Sequence, residues 1–250
     1  MFNRPLFKSF PILYFLSIGL VVSSCNDEVV PLTFEEASVE TSEGATIAVN
    51  YPKANEASES GKRINQSVET YIAKQIYMGE NLPKELTIDE AVSQFNEEFT
   101  SFRDDFPEAP EQWEALIDGE VTYKTDDLVC VAITTYLDTG GAHGNTYIRF
   151  LNFDAQTGSQ LSKKDLITDM NGFSEVVETY LSKEMKEVVN DDTDENYFFG
   201  EDFKLPESIG FTDEGLVILY NTYEIAAYAQ GATEFVIPFE EVKDYLAFEF

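Results

Sequence analysis

The chain has 250 residues, with 47 Asp and Glu against 16 Lys and Arg, a formal net charge of −31 at pH 7. Such a balance repels nucleic acid and anionic lipid headgroups and attracts cations and basic proteins, at long range and with strong salt dependence. With 43% hydrophobic residues, 20 Phe and 13 Tyr, the chain can bury one large core or two modest ones, so disorder is expected only in a tether and a few acidic loops.

The N-terminus reads MFNRPLFKSFPILYFLSIGLVVSSC. Arg4 and Lys8 form a short basic region, and an apolar run follows from Phe10 to Val22. The run is too short and wrongly flanked for a stable membrane span, and it reads as a secretory signal over residues 1–25. Val22-Ser23-Ser24-Cys25 resembles a bacterial lipobox, so Cys25 is expected to carry lipid and to anchor the chain in the cell envelope. Asn26-Asp27-Glu28 resemble the surface-export signal of Bacteroidetes lipoproteins, which points to the outer membrane and a surface-exposed ectodomain. Loss of Arg4 and Lys8 with the signal leaves 14 basic and 47 acidic residues, a net charge of −33. With Cys25 lipidated, Cys130 has no intramolecular partner. Its setting, DLVCVAITTYL, makes it a small buried hydrophobe in a strand.

Residues 26–42 are acidic and without clear period, and read as a tether. ATIAVNYP (45–52) is a short strand stopped by Pro52. Ile64, Val68, Ile72 and Ile76 then recur at helical spacing, with Gly79 placed to end the helix. Thr87 to Glu90 matches a capping box. Behind it Ile88, Val92, Phe95, Phe99, Phe102 and Phe106 form one aromatic stripe, expected to be core, before Pro107 and Pro110 close the element. From Trp113 the period becomes two, giving two or three strands with turns near Asp118-Gly119 and Asp126-Asp127. A hairpin follows, turning over Asp154 to Gly158. Phe173, Val177, Leu181 and their neighbours mark another amphipathic helix. Residues 190–203 form an acidic loop with an aromatic cluster. A hairpin turning at Asp213-Glu214-Gly215, a loop, a strand and a short helix complete the chain. Runs of helix and runs of hairpin argue for an α+β fold: antiparallel sheets with helices packed on one face, in two closely associated subdomains. The expected division is an N-terminal domain over 43–160 and a C-terminal one over 161–250.

Several stretches carry a resemblance: VNYPKA with INQSVETYI, YLDTGGAHGNTYIRFLNFDAQTG, DLI, and FTDEGLVILYNTYEIAAYAQGATEFVIPFEEVKDYL. They resemble a bacterial extracellular family that pairs two domains of unknown function. Its members include the extracytoplasmic part of a lysozyme-sensing anti-sigma factor and the region preceding a peptidoglycan deacetylase catalytic domain. The resemblance implies a secreted or membrane-tethered binding or sensing module, with lysozyme as the partner of its best understood member. A sigma-binding segment, a further membrane span and a deacetylase domain are not expected here, so the anti-sigma and deacetylase activities do not carry over.

The residues themselves offer little chemistry. His143 is the one histidine, so it alone could serve as a triad base, and no G-x-S-x-G accompanies it. One His and one unlipidated Cys make a poor zinc set. The run from Asp192 to Asn196 places Tyr197 where an EF-hand loop needs Gly, and Phe203 where it needs Glu. No metal or cofactor is expected. In DTGGAHGN, Gly140, Gly141 and Gly144 are read as turn glycines, and His143 as hydrogen-bonding that turn, with ligand contact as the alternative. The acidic loop offers Asp191, Asp192 and Asp194 to steer a basic partner, and Tyr197, Phe198 and Phe199 to anchor it; the competing reading folds those rings onto the core. The function expected is a non-enzymatic ectodomain binding an extracellular basic protein such as lysozyme, or a cell-wall glycan. A cell-envelope hydrolase using paired carboxylates and a structural envelope protein are the alternatives.

Overall fold

A computed structural model describes residues 31–41, 43–109, 111–188 and 194–249; Cys25, Asp191 and Asp192 lie outside the described residues. A six-stranded sheet runs in the order β1 (Phe34–Thr41), β2 (Thr46–Ala54), β3 (Glu114–Lys124), β4 (Leu128–Asp138), β5 (Asn145–Asp154) and β6 (Gln160–Leu161). All neighbours are antiparallel except β2 and β3, which are parallel. A parallel pair needs a crossover, and helices α1 (Glu59–Ile76) and α2 (Ile88–Asp105) supply it. After α3 (Lys163–Leu166) and α4 (Met170–Val188) comes a three-stranded antiparallel sheet of β7 (Ile209–Thr212), β8 (Gly215–Tyr220) and β9 (Thr233–Ile237), then α5 (Phe239–Val242).

The large sheet is covered on both faces. On one face Val129, Val131, Ile133, Leu151 and Phe153 meet Ile64, Val68, Ile72 and Phe95 of the two long helices. On the other, Leu128, Cys130, Ala132 and Phe150 meet the small sheet and Phe173, Val177 and Leu181 of α4. This double burial explains the unbroken apolar run at the start of β4. Cys130 is fully buried, and desolvation pushes its thiol up to about 11, so it is an inert filler.

Several local expectations are corrected. Residues 34–41, read as tether, form edge strand β1; Glu35, Glu36 and Glu40 point outward, which disguises the strand and also discourages pairing along the open edge. Pro52 does not stop β2. It remains paired with Glu36 of β1, while the ladder to β3 ends at Asn50. The chain does not turn at Asp118-Gly119. Gly119 lies within β3 opposite Ile133, where an added Cβ would come 2.7 Å from that side chain and 3.0 Å from Pro52; the glycine serves a close approach. Helix α1 ends at Ile76, with Tyr77 already extended, ahead of Gly79. The capping box of Thr87 and Glu90 is present. The stripe behind it is core at Ile88, Phe95 and Phe99, but Phe106 is 58% exposed: the helix ends at Asp105, and Phe106, at its C-cap, leaves the helical backbone and with it the buried face.

Candidate functional site

The loop between β4 and β5 carries the single histidine. Asp138 Oδ1 accepts the Gly140 N–H at 3.0 Å, and Gly140 has φ +80° with Glu111 close to the position of its missing Cβ, so glycine is required there. Gly144 serves a close approach: a Cβ would lie 2.3 Å from the Tyr136 hydroxyl. Gly141 is a correction. Its φ lies outside the left-handed region and its surroundings are open, so nothing in the local backbone demands glycine. His143 is exposed. Its Nδ1 lies 2.9 Å from the Gly144 carbonyl; a carbonyl only accepts, so Nδ1 carries the proton and Nε2 is left free.

The imidazole stacks on Tyr228, with ring centroids 3.8 Å apart and planes 19° from parallel. The Tyr228 hydroxyl donates to the same Gly144 carbonyl at 3.2 Å. Tyr223 stands 5.7 Å from Tyr228, tilted by 35°. Tyr223 is 55% exposed and Tyr228 37%. Two segments about eighty residues apart in sequence therefore meet in one exposed aromatic surface.

The turn that presents Tyr223 is tightly held. Buried Asn221 accepts the Ile148 N–H at 2.7 Å and donates to the Ile148 carbonyl at 3.0 Å, completing the outer edge of β5 as a neighbouring strand would. Two residues along, Ser208 supplies one bond of this kind, its hydroxyl accepting the Phe150 N–H at 3.2 Å. Glu224 accepts the Asn221 N–H at 2.9 Å and the Glu207 N–H at 2.6 Å. Between these clamps Tyr223 adopts φ +68°, a left-handed conformation that costs a non-glycine residue on the order of 1–3 kcal/mol.

The adjoining carboxylates bear on the hydrolase alternative. Burial raises Glu224 above the ordinary carboxylate value, as a general acid would need. Both its oxygens, however, are engaged by backbone N–H groups. Glu207 lies 3.1 Å from Arg149 Nη1 and accepts from the Tyr147 hydroxyl at 2.5 Å. The pair thus acts as a clamp between loops. Among the described residues no group of three His, Cys, Asp or Glu is placed to hold a metal ion.

The acidic loop is tied by its backbone to the segment between Tyr223 and Tyr228. Asp194 opens a kinked 3-10 segment, Asp194–Gly200, in which Phe198 and Phe199 have φ +54° and +53°. The Phe198 N–H donates to the Ile225 carbonyl at 2.6 Å. Tyr197 and Phe198 pack against the core, Phe198 meeting Phe203 and Tyr220 edge-on, so the anchoring role read for these two rings gives way to an inward one. Phe199 is 60% exposed. The residues overlooked in the sequence are Asn221, Tyr223, Glu224 and Tyr228. Their signal was an Asn, a Glu and three tyrosines within YNTYEIAAY, a stretch too aromatic for a plain loop, in which Tyr220, Asn221, Ile225 and Ala226 are buried while Tyr223 and Tyr228 are exposed.

Comparison with known proteins finds the resemblance read from the sequence. Residues 38–146 match the family described as deacetylase PdaC, and residues 164–240 match a family described as a protein of unknown function, DUF3298. The anti-sigma-V factor RsiV of Bacillus subtilis is 29% identical over 140 residues, covering 53% of this chain and 48% of its own length; the chain thus spans about half of that relative. Two crystal structures of DUF3298 family proteins share the α+β fold. One, from Pseudomonas aeruginosa, has a TM-score of 0.65 at 21% identity, over 87% of this chain and 95% of its own. The other, from Bacteroides fragilis, has a TM-score of 0.60 at 20% identity, over 87% and 94%.

Proposed function

We propose that this chain is a non-enzymatic binding ectodomain, held in the cell envelope by lipid on Cys25, that captures a basic extracellular protein of the lysozyme kind. The observation that carries the reading is Tyr223, exposed and strained, locked by Asn221 and Glu224 beside Tyr228 and His143. Strain of this sort persists where the surroundings over-determine it, and it concentrates at functional sites. Exposed tyrosines anchor protein interfaces with little loss of side-chain freedom. The net charge of −33 that remains once residues 1–25 are removed draws basic partners toward the molecule at long range. The relation to an anti-sigma factor that covers only part of the relative's length agrees with a sensing or binding module. No helix of the described residues is long and apolar enough to cross a membrane.

Titration calorimetry of the detergent-solubilised full chain against a chicken-type lysozyme tests the partner. Binding should weaken from low to moderate salt, and Tyr223→Ala with Tyr228→Ala should weaken it roughly tenfold or more. Absence of binding heat at either salt would sink the basic-protein reading. Cys25→Ala should release the protein from membranes; a variant still membrane-bound after a carbonate wash would remove the anchor.

A further inference from the structure

The negative charge is unevenly spread. Residues 53–84 hold five basic side chains, Lys53, Lys62, Arg63, Lys74 and Lys84, against four acidic ones, Glu56, Glu59, Glu69 and Glu80. That segment is nearly neutral in a chain otherwise dominated by acids. It also forms much of the wall of a groove of about 910 Å³ between α1, the sheet and the loop leading into α2, a size suited to a small ligand.

One wall is a row of polar side chains on α1. Lys62, Gln66, Thr70 and Lys74 line the groove at successive intervals of four residues. Each interval rises about 6 Å, so the row extends about 18 Å. Lys62 has an ion-pair partner in Glu59 at 2.7 Å. Lys74 and Lys84 have no carboxylate within 4 Å among the described residues, and the side chains of Gln66 and Thr70 make no hydrogen bond to a described residue. The floor is internally satisfied: the Tyr51 hydroxyl donates to Glu69 at 3.1 Å, and Lys53 lies 3.6 Å from Glu69 and 3.5 Å from Glu56. The facing lip is different in kind. Leu82, 51% exposed, and Leu86 give it an aliphatic surface, while Glu85 and Asp89 add carboxylates.

We infer that this groove is a second binding site, distinct from the tyrosine surface, for a short extended peptide bearing both carboxylate and ammonium groups. Unpaired lysines at Lys74 and Lys84 take carboxylates as point charges. Glu85 and Asp89 take an ammonium. Gln66 and Thr70 supply hydrogen bonds to the peptide backbone, and the leucine lip takes an apolar side chain. A saccharide chain fits less well, since the groove's one aromatic, Tyr51, is 7% exposed and offers no open ring face for stacking. A wholly basic ligand is drawn instead to the acidic remainder of the molecule.

The probe is the free peptide Glu-Leu-Lys-Leu-Glu, titrated by calorimetry into the detergent-solubilised full chain, with Lys-Leu-Lys-Leu-Lys and chitotetraose as controls. The mixed-charge peptide should bind, and Lys74→Glu with Lys84→Glu should weaken it roughly tenfold or more, as expected when charged contacts are lost. Gln66→Ala with Thr70→Ala should weaken it less. Lys74, Lys84 and Gln66 are exposed and Thr70 is half-buried, and the thermal midpoint of each variant, measured alongside, separates a loss of binding from a loss of fold. Tyr223→Ala with Tyr228→Ala should leave peptide binding intact, which separates this site from the lysozyme reading. The inference is overturned if the mixed-charge peptide gives no binding heat, if the lysine reversals leave its affinity unchanged, or if chitotetraose displaces it.

Discussion

Replacing Asn221 by Ala tests whether the tyrosine surface and the fold share one support. Asn221 is 4% exposed and bonds both the N–H and the carbonyl of Ile148, at 2.7 and 3.0 Å. Alanine keeps neither bond. The outer edge of β5 at that point has no other strand to turn to, because β6 pairs only with Asn152 and Phe153. A buried backbone group left without a partner costs about 1–3 kcal/mol; with both Ile148 groups part-buried, the variant should lose up to about 2–6 kcal/mol. The same change frees the turn that holds Tyr223 at φ +68°, and the residue can then relax to an ordinary conformation. Urea unfolding followed by tryptophan fluorescence should show a lower midpoint with an unchanged slope. Calorimetry under native conditions should show lysozyme affinity reduced as well. A midpoint within error of the wild type would mean that water satisfies the β5 edge and that Asn221 is not its partner. A lowered midpoint with unchanged affinity would separate the strain at Tyr223 from binding.

Phe99, 6% exposed and 5.8 Å from the Trp113 ring, should lose about 3–5 kcal/mol on truncation to Ala, whereas Phe106→Ala at a 58% exposed position should stay within about 0.5 kcal/mol of the wild type in the same urea assay. Glu90 is held below its ordinary value of 4.5 by hydrogen bonds from the Thr87 backbone and hydroxyl. A carboxyl depressed in the folded state lends stability that is present above its unfolded value and lost as pH falls through the folded one. Glu90→Gln should therefore lower the urea midpoint at pH 7, and the gap to the wild type should narrow as pH is taken below 4.5; a gap independent of pH would assign the effect to packing.

What the sequence made legible was periodic. Helix α1 follows from isoleucines and a valine four apart, and the start of α2 from Thr87 and Glu90, because helix spacing and capping are local. Both hairpin turns, at Asp154 to Gly158 and at Asp213 to Gly215, were equally local. The misreadings share a different cause. Strand β1 is half-buried at an edge, so its acids blur the alternation that would mark it. Pro52 and Gly119 are turn formers by composition, yet here the one lies beside the other across the β2–β3 boundary, each accommodating its neighbour's approach. Tyr197 and Phe198 turn inward because α4 and β8 lie behind them, a fact no window along the chain contains.

The aromatic surface was illegible for a related reason, and the reason bears on what it does. Its support is a side chain posing as a strand. Asn65 bonds both backbone groups of Ala54, at 2.7 and 2.9 Å, as Asn221 bonds both of Ile148. At Ala54 the device finishes β2 against its own following helix, within a dozen residues. At Ile148 it joins strands of the large sheet to a loop of the small one, 73 residues away in sequence. The first is a local cap between a strand and the helix that follows it. The second carries Tyr223 two residues on, and Glu224 closes the turn from the other side. A loop that only connected β8 to β9 would need neither a strained tyrosine nor clamps at buried Asn221 and half-buried Glu224. The stability spent there is explained if the ring must be presented at one fixed orientation beside Tyr228 and His143, which is what capture of a protein partner without ordering cost requires.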